Sequence, residues 1–190
     1  MLNPKEISCC LITKDAIYPK EIMDWLLPVG FGEILILTNC DSPHRKQELF
    51  QKAKYDYIYY QDDDCISAVG LLLAQSKLDI INCAMKPFHL DKYKNSRIAL
   101  LGWGSIFPKK TIDVLDLYRA KHGEDSLYKR ETERIMTYLS FPQNRLDLPI
   151  YDLLSAIAPD RLSMQVGHYD FIPLVEKRCA ELIDDVKIKR

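Results

Sequence analysis

Apolar and polar residues alternate along the first third of the chain in blocks of strand and helix length. The apolar runs are nearly continuous, as in strands covered on both faces, and the stretches between them carry apolar residues at helical spacing. We predict strands and helices in turn at residues 7–13, 20–27, 33–39, 43–54, 57–60 and 66–76. This β-α-β-α-β-α order is typical of a mainly parallel sheet with helices on both faces.

The rest of the chain continues the pattern less regularly. Strands are predicted at 79–84, 98–101 and 161–170, helices at 108–121, 125–139 and 150–157, polar loops at 86–96 and 142–149, and a surface helix at 175–190. No shift in composition divides the chain, so residues 1–190 are expected to form one α/β domain.

Composition narrows the class of protein. With 47% hydrophobic residues, the 190-residue chain can bury a sizeable core. Its 26 basic and 27 acidic residues include no basic run, which argues against a nucleic-acid partner. The six cysteines lack metal-binding spacing and are expected to be buried free thiols. With no signal pattern and no apolar run of membrane-spanning length, we expect a cytoplasmic protein without a transmembrane segment.

The main candidate for chemistry is the acidic triplet Asp62-Asp63-Asp64, where the third strand ends. In an extended chain Asp62 and Asp64 point to one side and Asp63 to the other, so two carboxylates converge. Carboxylate oxygens suit Mg²⁺ or Mn²⁺, ions that keep water ligands and bridge to substrate phosphates. The triplet also fits a solvated turn in which Asp64 caps the next helix.

Two further stretches carry candidate ligand contacts. Gly102-Trp103-Gly104, expected after the fifth strand, would let a ligand approach the backbone and would offer an aromatic face to a sugar ring; an ordinary turn with a core tryptophan has the same sequence. Near the end of the chain, His168 in a Gly-His-Tyr corner is a candidate third metal ligand, or a hydrogen-bonded loop residue.

The helix predicted at 125–139 contains an acid on its apolar side. At 3.6 residues per turn, Glu131 falls within the apolar arc and Glu133 points away from it. A desolvated carboxylate there would have a raised pKa, which suits a general base. Pairing of Glu131 with Arg130 or Arg134 is the structural alternative.

The order of these features resembles that of GT-A-fold nucleotide-sugar glycosyltransferases. The matching features are the strand ends at Thr13 and Thr38-Asn39, the acidic triplet, the Gly-Trp-Gly stretch and the late Gly167-His168. The small size and the run at 129–139 are similar to the compact glycosyltransferase domain of large algal viruses, the chloroviruses, and its relatives.

This resemblance implies a Rossmann-like GT-A domain with a nucleotide-binding half at about 1–84 and an acceptor half at about 97–175. It implies a hexosyl- or deoxyhexosyltransferase that moves a sugar from a nucleoside diphosphate sugar to a glycan hydroxyl, in the host cytoplasm if the protein is viral. A UDP-sugar is favoured. A GDP-sugar remains an alternative, because Thr38-Asn39 stand where many members of the family have an aspartate that contacts the nucleobase.

The resemblance also assigns site roles. Mn²⁺ or Mg²⁺ would be held by Asp62, Asp64 and His168. The nucleotide sugar would be contacted by Thr13, Lys14, Asn39, Asp62, Asp63, Gly102, Trp103 and Gly104. The first candidate for the catalytic base is Glu131, and the family pattern would equally allow Glu133. Asp125 is the third candidate, because Glu124-Asp125 resembles the acid motif of inverting members.

Two other functions fit an acid-bearing α/β sheet. A nucleotidyltransferase usually needs a glycine-rich phosphate loop after the first strand, and residues 14–19 contain no glycine. A non-catalytic sugar-nucleotide-binding domain of the same fold is the other alternative, because fold does not establish activity; the retained acids argue against it.

Overall fold

Strands and helices alternate through most of the computed structural model, which describes residues 2–40, 42–153, 170–183 and 186. The strands are β1 (Ile7–Ile12), β2 (Glu33–Leu37), β3 (Tyr57–Gln61), β4 (Cys65–Ser67), β5 (Ile81–Met85), β6 (Ser105–Pro108), β7 (Gln143–Asp147) and β8 (Ile150–Asp152). The helices are α1 (Lys20–Leu26), α2 (Lys46–Lys52), α3 (Val69–Gln75), α4 (Pro87–Lys92), α5 (Val114–His122), α6 (Ser126–Leu139) and α7 (Phe171–Ala180).

Six strands form the central sheet in the order β2-β1-β3-β6-β5-β7, and β4 pairs with β8 in a separate two-stranded sheet. Strand β6 is antiparallel to both of its neighbours, whereas the other pairs in the central sheet are parallel. Because the chain reverses on each side of β6, the remaining five strands all run in one direction. The predicted α/β class with a mainly parallel sheet is therefore confirmed. The beginning of β6 lies at the edge where the other five strands end.

Apolar side chains cover both faces of this sheet. On one face Cys10, Ile58 and Tyr60 pack with residues of α2, α5, α6 and α7. On the other face Cys9 and Tyr59 pack with residues of α1 and α3. Successive strand residues point to opposite faces, which explains why the strands are apolar at almost every position. All six cysteines are buried free thiols, as predicted.

The strand predicted at 98–101 is wrong. This apolar run is largely buried but makes no sheet pairing. Instead, the backbone amide of Ala99 donates to Thr137 Oγ1 of α6 at 3.2 Å, and the same hydroxyl contacts the Ala99 carbonyl. Strand β6 begins after the glycines, so Gly102-Trp103-Gly104 precedes a strand rather than following one.

Other differences lie in the second half of the chain and beside the acidic triplet. The predicted loop at 86–96 contains α4, and the predicted loop at 142–149 contains β7. The helix predicted at 66–76 begins at Val69, after the short strand β4, and the helix predicted at 150–157 starts instead as β8. The strand predicted at 161–170 lies almost wholly outside the described residues.

The helix near the C-terminus begins earlier than predicted and packs into the core. Val175 and Cys179 of α7 are fully buried, which contradicts the expected surface helix over the described part of 175–190. Among the described residues, no helix combines the length and the apolar character needed to cross a membrane.

Candidate functional site

The acidic triplet lies at the edge of the sheet where the parallel strands end. Strand β3 ends at Gln61, and the next three residues carry the carboxylates. Asp63 is 2% exposed, whereas Asp62 and Asp64 are partly exposed; Asp63 and Asp64 lie in the turn between β3 and β4. Two carboxylates therefore reach the surface of this edge, and the middle one is turned inward.

The inward carboxylate joins two strand ends. Asp63 accepts a hydrogen bond of 2.5 Å from the Thr13 hydroxyl, and this hydroxyl in turn accepts from the backbone amide of Asp15 at 3.1 Å. Thr13 follows β1, which pairs with β3 in parallel. Both side chains are buried, so this pair fixes the position of the triplet relative to β1.

Asp62 is held against the turn that precedes β6. Its backbone amide donates to the Gly102 carbonyl at 2.8 Å, and its carboxylate occupies the space that a side chain at position 102 would fill. The Tyr18 hydroxyl donates to the Asp62 carbonyl at 3.0 Å. Glycine is also required at 104, where φ is +99° and a Cβ would collide with Ser67 Oγ.

A buried hydroxyl connects Asp62 to a carboxylate from the other half of the chain. The Tyr60 hydroxyl donates to Asp62 Oδ1 and lies 3.3 Å from Glu133 Oε1 of α6. Lys46 of α2 donates to the Tyr60 oxygen at 2.8 Å and forms an ion pair with Glu133 Oε1. Lys46, Tyr60, Asp62 and Glu133 thus form one connected group, which we call the Lys46 network.

Burial controls protonation in the Lys46 network. Burial of the ammonium group lowers the pKa of Lys46, although the nearby acids Asp62, Glu131 and Asp64 oppose this effect. Burial also raises the pKa of Tyr60, and the charge of Asp62 adds to the increase. Tyr60 therefore keeps its proton at neutral pH and acts as a hydrogen-bond donor.

The prediction that Glu133 points away from the core is wrong. Its side chain is 20% exposed and contacts Lys46 and Tyr60. Helix α6 is irregular at Glu131, where φ is −116° and ψ is 24°, so a regular 3.6-residue period does not describe its faces. The helix also packs between α7 and the turn Pro43–Arg45, which leaves few outward positions in its second half.

The other two candidate bases have their hydrogen-bond partners outside the Lys46 network. Glu131 is 4% exposed and accepts from Arg134 Nη1 at 2.5 Å and from Arg130 Nε at 3.2 Å, as in the structural alternative. Asp125 is the N-cap of α6 and accepts from the backbone amide of Tyr128 at 2.8 Å. Neither carboxylate has a described hydrogen bond or ion pair with the acidic triplet.

Trp103 belongs to a cluster of polar and aromatic side chains. The Lys86 ammonium lies 5.0 Å from the centre of the indole, and the His89 ring lies 4.4 Å from it in an edge-to-face arrangement. Lys86 also donates to Asp152 of β8 at 2.7 Å. Burial, together with the charges of Lys92 and Lys86, lowers the pKa of His89 to about 4.

The remaining predicted residues lie near the same edge or outside the described chain. Lys14 and Asn39 are exposed and follow β1 and β2; Asn39 has φ +51°, and its amide donates to the Asp15 carbonyl at 3.0 Å. His168 is outside the described residues.

Sequence reasoning missed Lys46 and Tyr60. The spacing of Lys46 is a signal that could have found it. Lys46 lies three residues before Leu49 and four before Phe50, which places it on the buried face of α2.

The donor set suits one kind of metal site. In the described part of the chain, no three His, Cys, Asp or Glu residues are grouped so that they could hold a metal ion. Asp62 and Asp64 nevertheless carry two partly exposed carboxylates, and both act electrostatically on Lys46 and Cys65. Such a pair fits an oxygen-preferring ion that keeps waters and takes its other ligands from phosphates.

One surface cavity lies away from the acidic triplet. It has a volume of about 330 Å³ and is lined by residues such as Asp56, Lys109 and Arg119. Asp56 immediately precedes β3, so this cavity lies at the opposite edge of the sheet from the triplet and borders none of the predicted site residues.

Comparison with known proteins adds no further assignment. No protein-family model matches the chain, and no curated protein matches it significantly.

Proposed function

We propose that the chain is a metal-dependent glycosyltransferase of the GT-A fold, which transfers a sugar from a nucleoside diphosphate sugar to a glycan hydroxyl. One observation carries the proposal. Carboxylates from two distant parts of the chain, Asp62 and Glu133, meet at the Tyr60 hydroxyl on the edge where the parallel strands end. Ligands of open α/β sheets bind at this edge.

The donor diphosphate is assigned to the surface formed by Asp62 and Asp64. These carboxylates would hold Mn²⁺ or Mg²⁺, which supplies positive charge to the departing diphosphate. Lys14 and Asn39 are exposed beyond the ends of β1 and β2 and border the same edge. A UDP-sugar is the favoured donor, and a GDP-sugar is the alternative.

Glu133 is our candidate for the general base. Of the three acids considered, Glu133 is the one with a described ion pair and hydrogen bond to the Lys46 network, whereas Glu131 is paired with arginines and Asp125 caps a helix. Its carboxylate would accept the proton of the acceptor hydroxyl. As the hydroxyl oxygen forms its bond to the anomeric carbon, the bond between this carbon and the diphosphate oxygen breaks, and the diphosphate leaves with the electron pair.

Calorimetric titration tests this function directly. UDP, GDP and their sugars are titrated into the protein with Mn²⁺ or with EDTA, and then into Asp64→Ala and the control Asp24→Ala. Asp24 is an exposed acid on α1. Binding that needs Mn²⁺, is lost in Asp64→Ala and is kept in Asp24→Ala is the expected result. Absence of nucleotide binding to the wild-type protein would overturn the proposal.

A further inference from the structure

The burial of Lys46 is unusual for a lysine. The residue is 5% exposed, and its ammonium lies between Glu133, the Tyr60 hydroxyl and the Tyr60 ring, 4.9 Å from the ring centre. Removing an ammonium from water is unfavourable in free energy, and apolar replacements of buried ion pairs are often neutral or stabilising. Stability of the fold alone is therefore a poor explanation for a lysine at this position.

The hydrogen bonds of Lys46 have a defined direction. An ammonium group has three donors and no acceptor, whereas a phenol has one donor and two acceptor lone pairs. Because Lys46 donates into the Tyr60 oxygen, the Tyr60 proton must point to another acceptor. Asp62 Oδ1 receives this proton, and the second nearby acceptor, Glu133, is bound to the ammonium itself.

We propose that Lys46 is a positioning residue of the acidic edge: its ammonium holds Glu133 and turns the Tyr60 hydroxyl toward Asp62, which fixes the Asp62 carboxylate for metal binding. This inference rests on the proposed function in taking Asp62 as a metal-binding carboxylate. Without the ammonium, the Tyr60 proton is shared between Asp62 and Glu133, and the Asp62 carboxylate loses its fixed orientation.

A purely electrostatic role for Lys46 predicts the opposite effect on metal binding. Removal of a positive charge from a cluster of acids strengthens their attraction for a free divalent cation. Loss of positioning weakens this attraction instead, because Asp62 no longer presents its oxygen in one place. Tyr60→Phe preserves every formal charge and removes the hydroxyl that links Lys46 to Asp62 and contacts Glu133, so it separates the positioning effect from the charge effect.

The experiment measures the affinity for free Mn²⁺ by electron paramagnetic resonance. The proteins are wild type, Lys46→Met, Tyr60→Phe, the double variant and the control Lys110→Met, in which an exposed lysine paired with Asp79 is replaced. Each protein is first shown to be folded at the measuring temperature by thermal denaturation. Calorimetry with UDP and GDP in the presence of Mn²⁺ follows on the same samples.

We expect Lys46→Met and Tyr60→Phe each to bind Mn²⁺ about tenfold more weakly, the double variant to be no weaker than either, and the control to match wild type. Tighter or unchanged binding in Lys46→Met, or additive losses in the double variant, overturns the role of Lys46. If Lys46→Met does not fold, unchanged Mn²⁺ affinity in Tyr60→Phe overturns it equally. Wild-type protein that binds Mn²⁺ but no nucleotide overturns the proposed function alone, and wild-type protein that binds no Mn²⁺ overturns both.

Discussion

Asp62 and Gly102 are in direct contact, although forty positions separate them in the sequence. The Asp62 amide donates to the Gly102 carbonyl at 2.8 Å, and the Asp62 carboxylate fills the space beside the Gly102 Cα. Cys65 Sγ approaches the same carbonyl at 3.6 Å. The turn before β6 therefore serves as a support for the end of β3, and glycine at 102 is a condition for the position of the carboxylate.

Gly102→Ala is expected to displace this carboxylate. A Cβ at 102 would overlap Asp62 Oδ2, so the side chain must rotate away. We expect the affinity for the metal–nucleotide complex to fall about tenfold or more, because small displacements of site groups are costly. Calorimetry measures this affinity. Gly70→Ala is the matched control, since Gly70 has no neighbour within 4 Å of the added methyl group. Equal affinities in the two variants would contradict the expectation.

Replacement of Glu131 is expected to affect stability. Glu131→Ala leaves Arg134 buried without this carboxylate and removes a contact of Arg130. We expect the free energy of unfolding to fall by about 3–5 kcal/mol, the usual effect of removing one partner of a buried ion pair. Urea denaturation measures the change. Asp24→Ala, which removes an exposed ion pair, should change the free energy by less than about 1 kcal/mol.

Kinetics distinguish Glu133 from Asp125 as the base. In Glu133→Gln the amide oxygen still accepts from Lys46, but the side chain can no longer take a proton. We expect kcat to fall by about 10²–10⁴-fold with KM nearly unchanged. Asp125→Asn keeps a good N-cap for α6 and should stay within about twofold of wild type. The reverse order of effects would assign the base to Asp125.

His89 is expected to make stability depend on pH below neutrality. Its pKa is about 4 in the folded protein and about 6.5 in an unfolded chain, so the unfolded state binds the proton first. The stabilisation is present above pH 6.5 and is lost as the pH falls toward 4. Because the side chain is partly exposed, we expect a loss of only about 1 kcal/mol between pH 7.5 and 5. Urea denaturation of wild type and His89→Gln at both pH values tests this expectation, which fails if the two proteins lose equal stability.

The first third of the chain was predictable because its strands and helices follow from local patterns. Continuous apolar runs, helical spacing and turn residues there agree with the sheet that forms. The second half depends on distant partners. The run at 98–101 looks like a strand, but its backbone bonds to Thr137, and the polar strand β7 is held partly by Arg145, which donates to the Tyr93 and Ser96 carbonyls. Periodicity does not report such contacts.

Some features of the candidate site were likewise predictable from local sequence, and others depend on distant contacts. The position of the acidic triplet was predictable, because three aspartates must end a strand of tyrosine and isoleucine. The orientation of Glu133 was not, since it depends on an irregular turn of α6 at Glu131. Lys46 was also missed. A lysine is normally assigned to the surface, and only the packing of α2 against Tyr60 and α6 buries this one.

The reversed strand β6 also determines when the two parts of the sheet can join during synthesis. Strand β3 pairs with β6 in a register that joins Tyr57 to Pro108, and in the described sheet β6 is what connects β5 to β3, β1 and β2. Until β6 has been synthesised, β3 and β5 each have an unpaired edge, and such edges are templates for aggregation. Contacts of this sequence separation also slow folding, commonly to milliseconds or longer. Gly102 lies three residues before β6, so the support for Asp62 forms only at this late stage. A nascent chain that ends before this turn contains the aspartates without the turn that holds Asp62 in position.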